Sequence, residues 1–260
     1  MTMKKVFIVL TLLLAVSGIA MAQQAVTQRV SAQQNNSFTV TVKGVSFKMI
    51  RVQGGTFRMG GEKDRSEKPV HNVTLSSYYI GQTEVTQALW KAVMGSNPSE
   101  FKGDNLPVET VSWNDCQTFI AKLNQLTGRK FRLPTEAEWE FAARGGNQSR
   151  GYTYSGSNTF GNVAWCYENS GEKTHDVATK SPNELDIYDM SGNVLEWCQD
   201  WRGDYSSSAQ TNPTGPASGS YHVLRGGSWD RGATCCRTAD RYYGGAPTDT
   251  GYYLGLRLAL

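Results

Sequence analysis

Residues 223–260 read VLRGGSWDRGATCCRTADRYYGGAPTDTGYYLGLRLAL. Two kinds of residue alternate in this tail. Leu224, Arg225, Gly226, Gly227, Ser228 and Trp229, then Cys236, Arg237, Ala239 and Arg241, then residues 254–258, form a frame of short apolar runs, arginines and glycines. That is what a strand–turn–strand core requires. Between the frame segments lie Asp230, Arg231, Gly232, Cys235, Asp240, Tyr242, Tyr243, Gly244, Gly245, Asp249, Gly251, Tyr252 and Tyr253. Tyr, Gly and Asp are the composition of an adaptable recognition surface. Side chains alternate along a strand, so at least one member of each Tyr-Tyr pair should face solvent. By the same period, Leu254, Leu256 and Leu258 share one face. From Asp230 onward there is no Lys, Glu, Gln, Met or Trp, although the rest of the chain uses all five. None of these five can be reached from an Asn codon ending in a pyrimidine by changing its two adenines; Tyr, Asp, Gly, Cys, Arg and Ser can. Chance in a glycine-rich β terminus is the alternative reading of the same bias.

The whole chain has 260 residues, 39% hydrophobic content and a net charge of +3. That is enough apolar material for a core. The scattered basic residues give no nucleic-acid footprint. The N-terminus reads as a signal peptide, residues 1–22. Lys4 and Lys5 precede an apolar run, and Ala20-Met21-Ala22 offers a cleavage site before Gln23. The run is too short to span a membrane, so the mature chain is expected to be exported without a transmembrane segment, to the periplasm, the cell surface or the medium. Residues 23–37 are Gln-, Asn- and Ser-rich and read as a flexible leader. A single domain over residues 38–260 follows, its diversified region starting near residue 224.

Within that domain, residues 37–43 and 45–59 read as strands, the second broken at Gly54-Gly55. Residues 62–68 read as a charged loop, and residues 71–80 return to β character. Three helices carry their own caps. Thr86 opens the first and Gly95 ends it. Ser112 and Asp115 box the second over residues 113–126, with Gly128 as its stop. Thr135 and Glu138 box the third over residues 136–144, before Gly145. Trp113, Phe119, Trp139 and Trp197 are expected to be buried, and Cys116 to lie on an apolar helix face. After Gly146 helical periodicity fades, leaving short strand-like runs at residues 186–190, 194–197 and 222–224. Of the five cysteines, Cys116, Cys166, Cys198, Cys235 and Cys236, the odd count leaves at least one thiol free. Neighbouring α-carbons are too close for Cys235 and Cys236 to suit one another as disulfide partners.

Several motifs occur in a telling order: Gly54-Gly55-Thr56-Phe57-Arg58-Met59-Gly60; Glu84-Val85-Thr86; Val111-Ser112-Trp113; Arg132-Leu133-Pro134-Thr135-Glu136-Ala137-Glu138-Trp139-Glu140; Tyr188-Asp189-Met190-Ser191-Gly192-Asn193-Val194; Glu196-Trp197; and Arg225-Gly226-Gly227-Ser228-Trp229. Together they resemble the formylglycine-generating enzyme, or sulfatase-modifying factor, family along nearly the whole mature chain. The resemblance implies an elaborated C-type-lectin-like α+β fold with much irregular structure. Oxidising members hold Cu(I) between two thiolates four residues apart, because soft reduced copper takes thiolate ligands. Here Arg231 stands at the first of those positions, and Cys236 reaches the second only if the loop has no deletion. An oxidase would have to work with Cys235, Cys236 and Ser228; no catalytic residue is assigned otherwise, and no cofactor is required. The three histidines, His71, His175 and His222, are scattered. The family also implies structural Ca2+ near Asn193 and Glu196 and near Asn169, since oxygen ligands suit that ion. Read by themselves, Asn193 caps a turn and Glu196 pairs with an arginine. Asp186 stands where many relatives carry Gly.

The tail also resembles that of variable proteins of diversity-generating retroelements, which are rewritten at adenines of Asn codons around a fixed frame. The combined expectation is an exported, non-enzymatic binding protein. Its tail clusters would face a protein or surface-glycan ligand, with Tyr242, Tyr243, Tyr252 and Tyr253 as anchors. The alternatives are a formylglycine-generating oxidase and a structural subunit of a cell-envelope assembly.

Overall fold

The computed structural model describes residues 36–260. The expected signal peptide and all but the last two residues of the expected leader lie outside the described residues. The first strand, β1 (Ser37–Val42), begins at the last residue assigned to that leader.

Three small sheets form the scaffold. In the first, β1 lies beside β2 (Val45–Val52), which pairs antiparallel with β5 (Tyr78–Gly81), Ile50 opposite Ile80. In the second, β3 (Gly55–Met59) pairs antiparallel with β4 (His71–Leu75), Phe57 opposite Val73; a short parallel strand, β7 (Gln210–Thr211), extends it. The third is built mostly from the chain's end. Its centre, β6 (Leu195–Trp201), lies antiparallel to β8 (His222–Arg225) and parallel to β9 (Leu254–Gly255).

The caps form as the sequence implies. Helix α1 (Gln87–Met94) is opened by the Thr86 side chain and ended by Gly95 in the left-handed region. In α2 (Trp113–Thr127) and α3 (Glu136–Ala143) the Ser112/Asp115 and Thr135/Glu138 boxes are both closed reciprocally. A single turn, α4 (Phe160–Val163), follows. The charged stretch at residues 62–68 is less plain than it reads. It holds a short 3-10 helix, Arg65–Glu67, capped by Asp64, and Glu67 is fully buried.

Two large hydrophobic clusters fill the interior. One joins α1 and α2 to β1 and to the chain end, with Cys116, Phe119 and Trp197 packed against Leu254, Leu256 and Leu258. The other packs Trp139, Phe141 and Ala142 of α3 against Val73, Ile80, Met190 and Cys198. Phe119, Trp139 and Trp197 are buried as expected. Trp113 is not: it is half-buried at the head of α2, where its ring stacks on His222 at 3.9 Å and its Nε1 donates to the Cys198 carbonyl at 3.1 Å. The strand expected at residues 186–190 does not form. Asp186 and Asp189 take φ of +64° and +60°, so the chain turns there. Asp186 and Asp189 adopt this glycine-like conformation because Asp tolerates it better than most residues.

Candidate functional site

The tail divides by depth. Every frame residue from Leu224 to Trp229 is buried, as are Cys236, Arg237, Ala239, Arg241 and the run at residues 254–258. Only Leu254 and Gly255 form a ladder strand. Beyond them the chain stays extended and threads between other elements: Val85 donates its N–H to Leu256 O at 2.9 Å, and Gly81 to Leu258 O at 2.8 Å. Leu254, Leu256 and Leu258 face the apolar cluster, while Arg257 points the other way.

Four tail arginines fix this frame to the scaffold through buried carboxylates. Arg225 pairs with Glu140 of α3. Arg237 Nη2 lies 2.6 Å from Glu67 Oε1. Arg241 grips Glu136 through Nε at 2.6 Å and Nη2 at 2.9 Å. Arg257 grips Glu196 through Nη2 at 2.7 Å and Nε at 3.0 Å. Burying a lone charge is strongly unfavourable, whereas a planar guanidinium can satisfy a carboxylate through two parallel bonds. These pairs therefore specify where the tail docks. Arginine pairing also explains why α3, with three glutamates, is buried at all eight positions: Glu136 and Glu140 meet the tail residues Arg241 and Arg225, and Glu138 meets Arg132.

The interspersed clusters sit at the surface. All of them except Gly245 are partly or fully exposed. Gly245 is a correction to the expected face. It is buried, and a Cβ there would fall 2.4 Å from the Trp197 ring, so the site belongs to the frame. Starting from the buried frame residue Trp229, the aromatic members of the clusters form one continuous line. Trp229 and Tyr252 rings lie 5.7 Å apart, and Tyr252 and Tyr253 rings 5.6 Å apart. Arg231 bridges onward, its guanidinium 5.6 Å from the Tyr253 ring and 5.3 Å from the Tyr242 ring. Its Nη2 donates to Tyr242 Oη at 3.1 Å, and Tyr243 follows at 5.9 Å. Tyr243 is 85% exposed and Tyr252 48%. Asp230 accepts from Ser228 Oγ at 2.6 Å. Asp249 closes its own turn by accepting from Ala246 N. Asp240 leans on Arg237 at 3.0 Å, and burial pushes its carboxyl up to about 6 against that attraction.

Residues from outside the tail complete the surface, and no local pattern marks them. Tyr167 is 64% exposed and donates its N–H to Arg231 O at 2.9 Å. Glu168 accepts from Ala233 N at 3.0 Å, a bond that holds its carboxyl below the usual range. Tyr221 is 52% exposed, and a Cβ on Gly244 would come 3.1 Å from its own Cβ. Their nearness to the tail arises from tertiary docking across long stretches of chain, which local patterns do not carry.

The metal candidates do not assemble. Asn169 closes a local turn, accepting from Cys166 N and donating to Ala164 O. Asn193 accepts from His175 N at 3.0 Å and donates to Glu84 at 2.8 Å. Both Glu196 oxygens face Arg257, and Oε2 also accepts from Trp139 Nε1 at 2.7 Å. These oxygens are directed at protein donors, so the three residues do not fit a calcium cage. Among the described residues no group of three or more His, Cys, Asp or Glu side chains could hold a metal ion. Buried beside Glu196, Asp189 is pushed up to about 6 and Glu84 well above the carboxylate range, in both cases mainly by burial. A two-thiolate copper site does not fit the tail loop either. Arg231 offers no thiolate, and Cys235 and Cys236 are adjacent, with Cys236 turned into the interior.

A model of the sulfatase-modifying factor enzyme 1-like domain matches residues 34–260. The chain belongs to this sulfatase-modifying factor family. It is 37% identical to the chaperone protein LppX of Paenibacillus barcinonensis over 71% of this chain and 79% of that protein. It is 31% identical to a formylglycine-generating enzyme of Streptomyces coelicolor over 69% of this chain and 78% of that one. Among solved structures, Treponema denticola variable protein 1 superposes with a TM-score of 0.81 at 38% identity, covering 86% of this chain and 98% of its own. The family fold, α+β with much irregular structure, is the one described above.

Proposed function

We propose that this member of the family is an exported, non-enzymatic binding protein whose tail presents a diversified recognition face to a protein or a surface glycan. The observation that carries the reading is the separation by depth. Frame residues are buried and paired, while the Tyr, Asp and Gly clusters, Gly245 apart, reach solvent in one aromatic line. Of the five exposed large hydrophobic residues among the described residues, Tyr243 and Tyr252 lie in the tail and Tyr167 and Tyr221 border it. Tyr offers large contact area at the cost of few frozen torsions, and a rigid support lowers the cost of ordering it. The structural likeness to Treponema denticola variable protein 1 supports the same reading. So does the absence from the tail of the residues that adenine changes in Asn codons cannot reach. Among the described residues no helix is long and apolar enough to cross a membrane.

The binding test presents immobilised protein to a glycan array and to a panel of purified cell-surface proteins. A captured ligand should be lost when Tyr242, Tyr243, Tyr252 and Tyr253 are all changed to Ser, since anchors of this type can each carry about 2 kcal/mol or more. A ligand held equally by that variant would sink the assignment of the face. In the DNA beside the gene, a reverse transcriptase and a near-copy of the tail with Asn codons at the cluster positions are expected. Formylglycine formed on a sulfatase peptide in the presence of Cu(I), and lost in Cys236→Ser, would establish the oxidase instead.

A further inference from the structure

The five cysteines do not share one environment. Cys116 is packed in the α1–α2 cluster and Cys198 in the α3 cluster. Cys235 is half-buried at the surface of the tail. Cys166 and Cys236 alone occupy a third, small cluster with Ala164 and Ala233, closed over by Tyr154 and Phe160. Both are fully buried free thiols, packed together in that one cluster. Their backbones are held in place: Cys166 N donates to Asn169 Oδ1 at 2.9 Å, and Cys236 O accepts from Ser191 Oγ at 2.8 Å. Gly227 makes room for the pair. Its φ is +72°, and a Cβ there would come 2.7 Å from Cys236 Sγ.

We propose that Cys166 and Cys236 are a disulfide pair, closed by exchange with a donor disulfide, that fastens the variable tail to the loop bearing Tyr167. The donor is a disulfide-bearing oxidant such as oxidised glutathione or an oxidised dithiol protein. One cysteine thiolate attacks a donor sulfur, forming a mixed disulfide and releasing one donor thiol. The second thiolate attacks the protein sulfur of that mixed disulfide and releases the other donor thiol. Two electrons pass to the donor, and the two cysteine protons end on its thiols. The neighbouring Cys166 thiol, together with burial, raises the Cys236 thiol well above its ordinary range. The exchange therefore belongs to folding, before the cluster closes. The link closes a loop of roughly 70 residues, a span at which cross-linking restricts the unfolded chain strongly. It leaves Cys116, Cys198 and Cys235 as thiols, which accounts for the odd count. It also joins the rim residues Tyr167 and Glu168 to the short 3-10 helix Ala233–Cys236 in one rigid piece. The pairing stands whether or not the face binds a ligand.

Cys235 and Cys236 share a tryptic peptide, so the test uses the full chain carrying Cys235→Ser. This protein is reduced, unfolded, refolded in a mixture of oxidised and reduced glutathione, alkylated and digested without reduction. Mass spectrometry should find the Cys166 and Cys236 peptides linked, 2 Da below their summed mass. The oxidised form should melt roughly 5–15 °C above the same variant kept reduced. Comparing two redox states of one variant avoids reliance on a Cys236 substitution that fails to fold. Both cysteines recovered alkylated from oxidatively refolded protein would overturn the proposal. So would a link to Cys116 or Cys198, or a linked form that melts no higher than the reduced one.

Discussion

Arg257 shows how much of this fold rests on single buried charges. Its guanidinium is fully buried between Glu196, the Gly81 carbonyl at 2.9 Å and the Tyr188 carbonyl at 2.8 Å. Removing it by Arg257→Met leaves Glu196 with the Trp139 Nε1 donor but without a cationic partner, in the company of Glu84 and Asp189. A loss of about 3–5 kcal/mol is expected, read by denaturant unfolding. Adding Glu196→Gln should restore part of it; a single variant as stable as wild type would contradict the pairing's role. Asp200 makes the opposite kind of prediction. Burial, reinforced by Glu136, pushes its carboxyl up to about 8, against 3.8 for the ordinary side chain, although it accepts from Glu136 N at 2.9 Å. A folded value above the unfolded one means that its contribution is complete below about 3.8 and is lost as pH rises toward 8. Asp200→Asn keeps the acceptor and removes the titration. Its melting temperature relative to wild type should therefore rise steadily between pH 4 and pH 8. A constant difference across that window would show that Asp200 ionises normally.

Among the elements, α3 carries the most structure per residue. Trp139 on it is fully buried and donates Nε1 to Glu196, so the helix touches both the second core cluster and the Arg257 pair. Trp139→Ala should cost about 3–5 kcal/mol, the usual price of deleting a large core aromatic; an unchanged melting temperature would refute the placement. The helices were legible because their signals are local: Thr86, Ser112 and Thr135 cap within three residues of themselves. The frame of the tail was legible for a similar reason, since Leu254, Leu256 and Leu258 alternate in one short run. What was not legible depends on distant partners. Glu67 reads as one charge in an exposed loop, yet Arg237, far along the chain, draws it into the interior. Residues 186–190 read as a strand because nothing local announces that Asp186 and Asp189 take positive φ. Gly245 reads as one more glycine of the face until the Trp197 ring is seen against it. Tyr167 and Tyr221 become rim residues only when the tail has docked.

For the molecule as a whole, the scaffold and the face are built to be separable. The buried side of the tail is fixed by apolar packing on two cores and by four arginine–glutamate pairs. The outer side is divided: Tyr242 and Tyr253 are half-buried against the first apolar cluster, whereas Tyr243 and Tyr252 are exposed, Arg231 donates to Tyr242 Oη, and Asp249 bonds to its own turn. Changes at the exposed Tyr243 and Tyr252 should then leave stability nearly untouched and those at the half-buried Tyr242 and Tyr253 should lower it modestly, whereas Trp229→Ala or Leu256→Ala, which cut into buried frame, should unfold the domain or lower its melting temperature sharply. The central measurement is the thermal unfolding of the variant with Tyr242, Tyr243, Tyr252 and Tyr253 all changed to Ser. The separation of frame and face predicts a cooperative transition with a total loss of about 2 kcal/mol or less. A variant that fails to fold, while Leu256→Ala melts like wild type, would mean that the tyrosines are core and that the tail is no recognition surface.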